Sequence, residues 1–389
     1  MKIIRTSTVG LSLNIFCKGL FNELTKEGYE VVALSSPDKD LKEVEEREGI
    51  RTIGVKMCRR ISPLKDLKSL FKLIKVFRKE KPDMVHSITP KAGLLSMIAA
   101  KLAGVPVRLH TFTGLVFPTS KGIKRKLLLT TDRITCLCAT HIMAEGKGVK
   151  SDLINNRVTR KNISVLGYGN IRGIDLNYYD RTPGVMQKAC EIRKQVIGDA
   201  QFSKDTETSP FVFVFVGRLA ADKGIDNLIS AFSRLENEGR NVRLIMAGDF
   251  EPADPLKAET IDYIHSSQNV LFTGAWVDDV RPYLAAADAL VFPSRREGFP
   301  NVVIEAGAMG LPSIVTDING SNEIITDGLN GIIVPVDDTS ALTEAIRRFV
   351  DNKEDCSKMA MASRKSVAER FEQTFVRTNL KNYYNSILS

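Results

Sequence analysis

The run Phe211-Val-Phe-Val-Phe-Val216 fixes more about the fold than any other stretch of this chain. Six consecutive apolar residues, all aromatic or β-branched, suit a strand covered on both faces, which is the condition of a parallel sheet. The run opens into Gly217-Arg218-Leu219-Ala-Ala-Asp-Lys223-Gly224, followed by a helical pattern from about Ile225 to Leu235. A second unit of this kind follows. Ala289 to Pro293 reads as a short buried strand, and a polar, Gly-containing bend comes after it. A helix begins at Pro300, and Gly310 and Pro312 stop it before a strand from Ser313 to Thr316. Both loops leave the C-terminal end of a strand, where open α/β sheets bind their ligands.

These loops carry matched chemistry. Arg218 and Lys223, five positions apart on one strand-to-helix connection, can converge on a diphosphate, the first as a fork and the second as a point charge. Glu297 in the second loop and Glu305 on its helix can accept hydrogen bonds from sugar hydroxyls. Between them the N–H groups of Asn301, Val302 and Val303, in the helix's first turn, are expected to face an anion. Any one of these residues alone reads better as a solvated loop group. Together they suit a nucleotide sugar.

The segments Gly217-Arg218-Leu219 with Lys223-Gly224, and Glu297-Gly-Phe-Pro-Asn301 with Glu305 eight positions after Glu297, resemble the retaining glycosyltransferases of family 4. That resemblance runs over nearly the whole chain and is most specific at 217–224 and 297–305. It implies a GT-B architecture: two doubly wound, Rossmann-like α/β domains facing a cleft, with a C-terminal helix crossing back to the first. It also implies a transfer that needs no metal or other cofactor. Arg218 and Lys223 would stabilise the leaving diphosphate, Glu297 would orient the donor sugar, and Glu305 would hold the ribose. Gly217, Gly298, Phe299, Pro300, Asn301 and Val302 would complete the donor pocket.

In the first half, a strand from Ile3 to Thr8 leads through Gly10 into a helical run with Ile15, Phe16, Leu20 and Leu24 on one face. The family often places two adjacent glycines against the donor diphosphate here; this chain has Gly10 alone. Strands from Asp83 to Ser87 and from Val105 to Thr111 end in His86 and His110, and the family sets a sugar-contacting His at a position like His110. Asp38-Lys39-Asp40 has the spacing of a metal-binding triplet but reads as a solvated turn.

From Ser62 to Lys81, Leu64, Leu67, Leu70, Phe71, Ile74 and Phe77 form a stripe expected to pack on the sheet. Lys65, Lys68, Lys72, Lys75 and Lys79 are expected on the opposite face, near Arg59, Arg60 and Arg78, forming a basic surface for anionic lipid or for an acceptor. Lys121 to Lys126, ahead of Leu127 to Leu129, offers a second contact.

At 389 residues and net charge +9, the chain has room for two or three domains of roughly 150 residues and should favour acidic partners. We place an N-terminal acceptor-side domain at 1–180, a nucleotide-sugar domain at 181–370 and a crossover helix at 371–389. Asp199 to Ser209 is a polar connection. No apolar run approaches the ~20 residues that span a bilayer. The N-terminus enters a strand directly, and the six cysteines show no paired spacing. The expected location is the cytoplasm, peripheral to the inner membrane. The four histidines are scattered, so no zinc site is expected, and no motif for nucleic acid is present.

Val-His86-Ser-Ile-Thr-Pro-Lys-Ala-Gly93 and Leu-His110-Thr-Phe-Thr-Gly114 look like the family's bacterial members, which assemble capsule, O-antigen and N-glycans. Some of these add N-acetylgalactosamine to undecaprenyl-diphosphate-linked sugars. The resemblance implies transfer of a hexose or N-acetylhexosamine from a UDP-sugar to such an acceptor. The rivals are a UDP-sugar epimerase of related two-domain fold and a non-enzymatic protein that binds sugar nucleotides. A nicotinamide dehydrogenase would want Gly-x-Gly-x-x-Gly after a strand, which neither half offers.

Overall fold

The computed structural model describes residues 1–58, 62–198 and 209–389. The expected basic residues Arg59 and Arg60, and most of the 199–209 connection, lie outside these. The chain divides into two compact units, Met1–Gly173 with Gln373–Ser389, and Ile174–Glu372.

In the first unit the described strands are β1 (Lys2–Thr6), β2 (Glu30–Ser35), β3 (Arg51–Gly54), β4 (Met84–Ile88), β5 (Val107–Phe112), β6 (His141–Ala144) and β7 (Ile163–Ser164). They form one parallel sheet in the order β3-β2-β1-β4-β5-β6-β7. The alternation of side chains decides the layering. Ile4, Val32 and Val85 face a core built with Leu73, Phe77, Ala92, Leu129 and Val149. Their neighbours Ile3, Val31 and Met84 face the opposite layer, with Leu13, Phe21, Leu41, Val44, Leu380 and Tyr384. The C-terminal helix Gln373–Leu388 is thereby part of the first unit's core. Its Tyr384 hydroxyl lies 2.6 Å from His86 Nδ1 and also accepts from the buried Arg5 guanidinium.

The second unit holds β8 (Phe211–Val216), β9 (Val242–Ala247), β10 (Val270–Phe272), β11 (Ala289–Phe292), β12 (Ser313–Thr316) and β13 (Gly331–Val334), all parallel, in the order β10-β9-β8-β11-β12-β13. Phe211 to Phe215 are fully enclosed, as an all-apolar central strand requires. The order reverses between β8 and β11. These strands pair only at Phe213 with Ala289 and Val214 with Leu290, so their C-terminal ends part and leave a crevice.

Three expectations change. The single helix after β1 is two, Gly10–Phe16 and Leu20–Lys26, because Gly19 adopts a left-handed φ of 77° between them. Helix Pro63–Glu80 packs inward through Ser69, Leu73 and Phe77, while Leu64, Leu67 and Phe71 are 84%, 50% and 63% exposed. The inward face is centred near Leu73; at 100° per residue Leu64 and Phe71 fall on the far side, together with Lys68 and Lys75. Lysines and exposed apolar residues therefore share one face. Asp38 is no solvated turn residue either: its side chain caps helix Lys39–Glu48 by accepting from Leu41 N at 2.9 Å. Among the described residues, no helix is long and apolar enough to cross a membrane.

Candidate active site

The loops leaving β8 and β11 meet across the crevice of the second unit. Gly217, at φ 146°, turns the chain out of β8, and its N–H donates to the Ala247 carbonyl. Gly248 leaves no room for a side chain, since a β-carbon there would fall 1.9 Å from the Gly217 oxygen. Beyond the turn, Ala221–Lys223 forms a single 3-10 turn that ends at Gly224, with φ 71°. Gly224 rests directly on the Pro293 carbonyl, so the turn carrying Lys223 abuts the exit of β11.

There the Lys223 ammonium donates to Glu297 Oε1, with the two side chains only 14% and 17% exposed. Ser294 Oγ donates to the same carboxylate oxygen at 2.9 Å. Lys223 Nζ also stands 5.8 Å over the Phe292 ring. The surrounding loop is fastened to the 3-10 turn by several bonds. Arg295 N donates to the Asp222 carbonyl at 2.8 Å, Arg295 Nη1 to the Ala221 carbonyl at 2.7 Å, and Arg296 pairs with Asp222 at 3.1 Å. Arg218 lies outside this lattice. It pairs with Glu251 at 2.8 Å while half exposed, a surface contact of small strength that another anion can replace.

Behind the loop, Gly298, Phe299 and Pro300 are backed by Gly320, whose β-carbon would lie 2.6 Å from the Gly298 oxygen. Pro300 precedes helix Asn301–Ala308 rather than opening it, and its carbonyl accepts from Val303 N at 3.1 Å. The expected amide of Val303 is thus engaged inside the turn. Glu305 is 9% exposed, and Tyr179 OH donates to its Oε1 at 2.8 Å.

Sequence reasoning found Lys223, Glu297, Gly298 to Val302 and Glu305 as one group. It gave no role to Ser294, Asp222, Arg296, Tyr179 or Gly248, which hold that group in place. Ser294 carried a signal, as a hydroxyl between a buried strand and the Glu297 loop. The others act only through contacts made between distant segments.

Two expected residues belong to the first unit. The Gly10 N–H donates to Asp38 Oδ2 at 2.9 Å, and a β-carbon at Gly10 would fall 2.1 Å from Asp38 Oδ1. Gly10 therefore serves close packing against a helix N-terminus, and its amide is already bound. His110 is 2% exposed, with Nδ1 2.8 Å from Ser87 Oγ and its ring edge-on to Phe112 at 4.5 Å. Burial lowers its pKa to about 3, so the imidazole is neutral. Its Nε2 has no hydrogen-bond partner among the described residues.

Residues 14–169 match the glycosyl transferase 4-like domain, and residues 210–352 match glycosyl transferases group 1. Over 388 residues, 100% of this chain and 97% of the other, the sequence is 32% identical to the capsular polysaccharide biosynthesis glycosyltransferase CapM of Staphylococcus aureus. The chain belongs to the group 1, family 4-like glycosyltransferases. This glycosyltransferase is also 31% identical over 301 residues (76% of this chain, 74% of the other) to the Escherichia coli UDP-Gal:alpha-D-GlcNAc-diphosphoundecaprenol alpha-1,3-galactosyltransferase.

Its fold is GT-B. HepE of Anabaena, solved with UDP-glucose, matches at TM-score 0.76 and 19% identity over 99% of this chain and 100% of that one. Sucrose-phosphate synthase of Thermosynechococcus elongatus matches at TM-score 0.79 and 20% identity, over 100% and 99%.

Proposed function

We propose that this glycosyltransferase moves a hexose or N-acetylhexosamine, with retention, from a UDP-sugar to a hydroxyl of a polyprenyl-diphosphate-linked saccharide in surface polysaccharide assembly. The observation that carries this reading is the Lys223–Glu297 pair at the mouth of the β8/β11 crevice, with Arg218 on the same loop. A cation beside a carboxylate suits a substrate that is anionic at one end and rich in hydroxyls at the other. The diphosphate takes Lys223 and draws Arg218 from Glu251, and Glu297 is released to accept from the sugar. The lipid-linked acceptor and the capsule context are supported by what the relatives' names say of those proteins.

In the transfer, the bond from the anomeric carbon to the diphosphate oxygen breaks as the acceptor oxygen bonds to the same face. The acceptor hydroxyl's proton passes to the departing phosphate oxygen, and UDP leaves. Arg218 and Lys223 stabilise the negative charge that develops on the diphosphate, in place of a metal. Glu297 orients the sugar, and Glu305, steadied by Tyr179, holds the ribose hydroxyls. The backbone from Gly298 to Val302 lines the nucleotide. His110 enters as a neutral imidazole that contacts the donor sugar.

A peripheral seat on the cytoplasmic membrane surface is supported by helix Pro63–Glu80. Its outward side carries Leu64, Leu67 and Phe71 among Lys68, Lys72 and Lys75. Apolar insertion and attraction of each Lys to anionic lipid, about 1 kcal/mol apiece, both favour reversible adsorption.

The deciding experiment is a panel of UDP-sugars with the purified protein, with and without short-chain polyprenyl-diphosphate saccharides, read as UDP release. Release that requires both one donor and the lipid acceptor is the expected result. A donor converted to its epimer without UDP release would establish the epimerase reading instead.

A further inference from the structure

A recess of about 990 Å³ opens on the first unit, between the end of helix Gly122–Cys138, the end of helix Lys147–Asn155 and the loop that enters β7. That loop leads into the N-terminal end of its strand, so the recess lies at the sheet edge opposite the one where β4 and β5 deliver their ligand-side loops. Arg133, Arg157, Arg160 and Lys161 line it, and no carboxylate does. Among the described residues none of the four forms an ion pair, although most arginines elsewhere in the fold do. Lys161 Nζ is spent on the carbonyls of Cys136 and Ala139, closing the helix end. Arg133 donates to the carbonyls of Asn156 and Arg157, both at 3.3 Å. The side chains of Arg157 and Arg160 are exposed and make no hydrogen bond among the described residues. Two structural cations thus frame the recess and two uncommitted ones stand at its rim.

The wall is apolar. Leu137 is 68% exposed and Ile154 51% exposed. Leu137 ends a row with Ile123, Leu127 and Ile134, exposed by 86%, 43% and 37%. Their spacings of four, seven and three residues put all four on one side of helix Gly122–Cys138. This helix lies in the same layer as helix Pro63–Glu80, since Leu129 and Cys136 share a core with Leu73 and Phe77. An unpaired positive recess at the end of an exposed apolar row matches one kind of ligand: an amphiphile with an anionic phosphate head.

We propose that the recess bounded by Arg133, Arg157, Arg160 and Lys161 is a binding site for the phosphate of an anionic phospholipid headgroup, with Leu137 and Ile154 against its glycerol and first acyl carbons. The site is separate from the donor crevice, and it rests on the reading that this unit works at a lipid surface. It would fix the orientation of the helix layer on the bilayer, which diffuse attraction to lysines does not.

The test uses the full chain and dihexanoyl phosphatidylglycerol below its micelle concentration, titrated by calorimetry, with dihexanoyl phosphatidylcholine and inorganic phosphate as the other arms. The expected result is saturable binding of the phosphatidylglycerol at one site, tenfold or more tighter than either comparator. Arg157→Gln with Arg160→Gln should weaken that binding at least tenfold with Tm and UDP binding unchanged. Equal affinity for inorganic phosphate would make it a free-phosphate site and overturn the lipid assignment. No saturable binding, or full binding by the double variant, would overturn the site itself. Monomeric lipid keeps this test independent of vesicle adsorption: a protein that ignores vesicles yet binds the monomer loses the membrane reading and keeps the recess.

Discussion

A β-carbon on Gly224 would stand 2.0 Å from the carbonyl oxygen of Pro293 and 2.9 Å from its carbonyl carbon. The contact is backbone on backbone, so no side chain can swing away to make room. It joins the loop that carries Lys223 to the strand exit that presents Glu297, and the left-handed φ of 71° at Gly224 adds its own demand for glycine.

Gly224→Ala should therefore separate the two loops. We expect a stability loss of roughly 2–4 kcal/mol, as for other backbone clashes at a special φ, and a fall in turnover larger than the stability loss explains. Urea unfolding and UDP release on the same preparation measure the two effects. Wild-type activity in a stable Gly224→Ala protein would show that the loops need not meet there.

Lys223→Ala and Glu297→Ala test the pair itself. Loss of one charge stabilising the leaving diphosphate should lower kcat by about 10²-fold or more. Lys223→Ala should also weaken UDP binding, whereas Glu297→Ala should leave UDP binding near wild type and impair use of the intact donor. Near-normal turnover in both variants would remove them from the active site.

His110 makes the fold sensitive to acid. Its folded pKa of about 3 lies below the ordinary value of 6.5, so between these pH values the unfolded chain binds a proton that the folded one refuses. Stability is full above pH ~6.5 and declines as pH falls toward 3, by at most ~1.4 kcal/mol per pH unit for this one proton. His86, held well below its ordinary value by burial and then by the nearby Arg5, acts in the same direction. His110→Gln should reduce the slope of unfolding free energy against pH by up to one proton in that window. An unchanged slope would mean that His110 protonates within the fold.

The outward face of helix Pro63–Glu80 combines two attractions that can be separated. Lys68→Gln, Lys72→Gln and Lys75→Gln together should lower adsorption to anionic vesicles tenfold or more and remove its salt dependence. Leu64→Ser with Phe71→Ser should weaken adsorption to neutral and anionic vesicles alike, because both side chains are largely exposed and support no core. Sedimentation with vesicles of each composition reads both variants, and unaltered binding in both would exclude this face.

Local patterning accounts for what the sequence alone determined. A strand such as Phe211 to Val216 declares itself because its covering layers demand apolar residues at every position. The loops after β8 and β11 declare themselves because glycine, cations and carboxylates stand at fixed spacings within each loop. So the α/β class was legible from local pattern, whereas Lys223, Glu297 and Glu305, each a plain loop or helix residue alone, were legible only as a set.

Only tertiary structure decided how those pieces are held. Ser294 on Glu297, Arg296 on Asp222 and Tyr179 on Glu305 are contacts whose partners are chosen by strand order, which no short spacing encodes. Gly10 shows the converse: a single glycine was weak evidence for a phosphate contact, and what packs against it is Asp38 and the next helix. Helix Pro63–Glu80 was amphipathic in the sequence, but apolar residues occurred on more of its circumference than one sheet can cover. Which of them became core was settled by where Ser69, Leu73 and Phe77 met the sheet layer, and Leu64, Leu67 and Phe71 were left facing out.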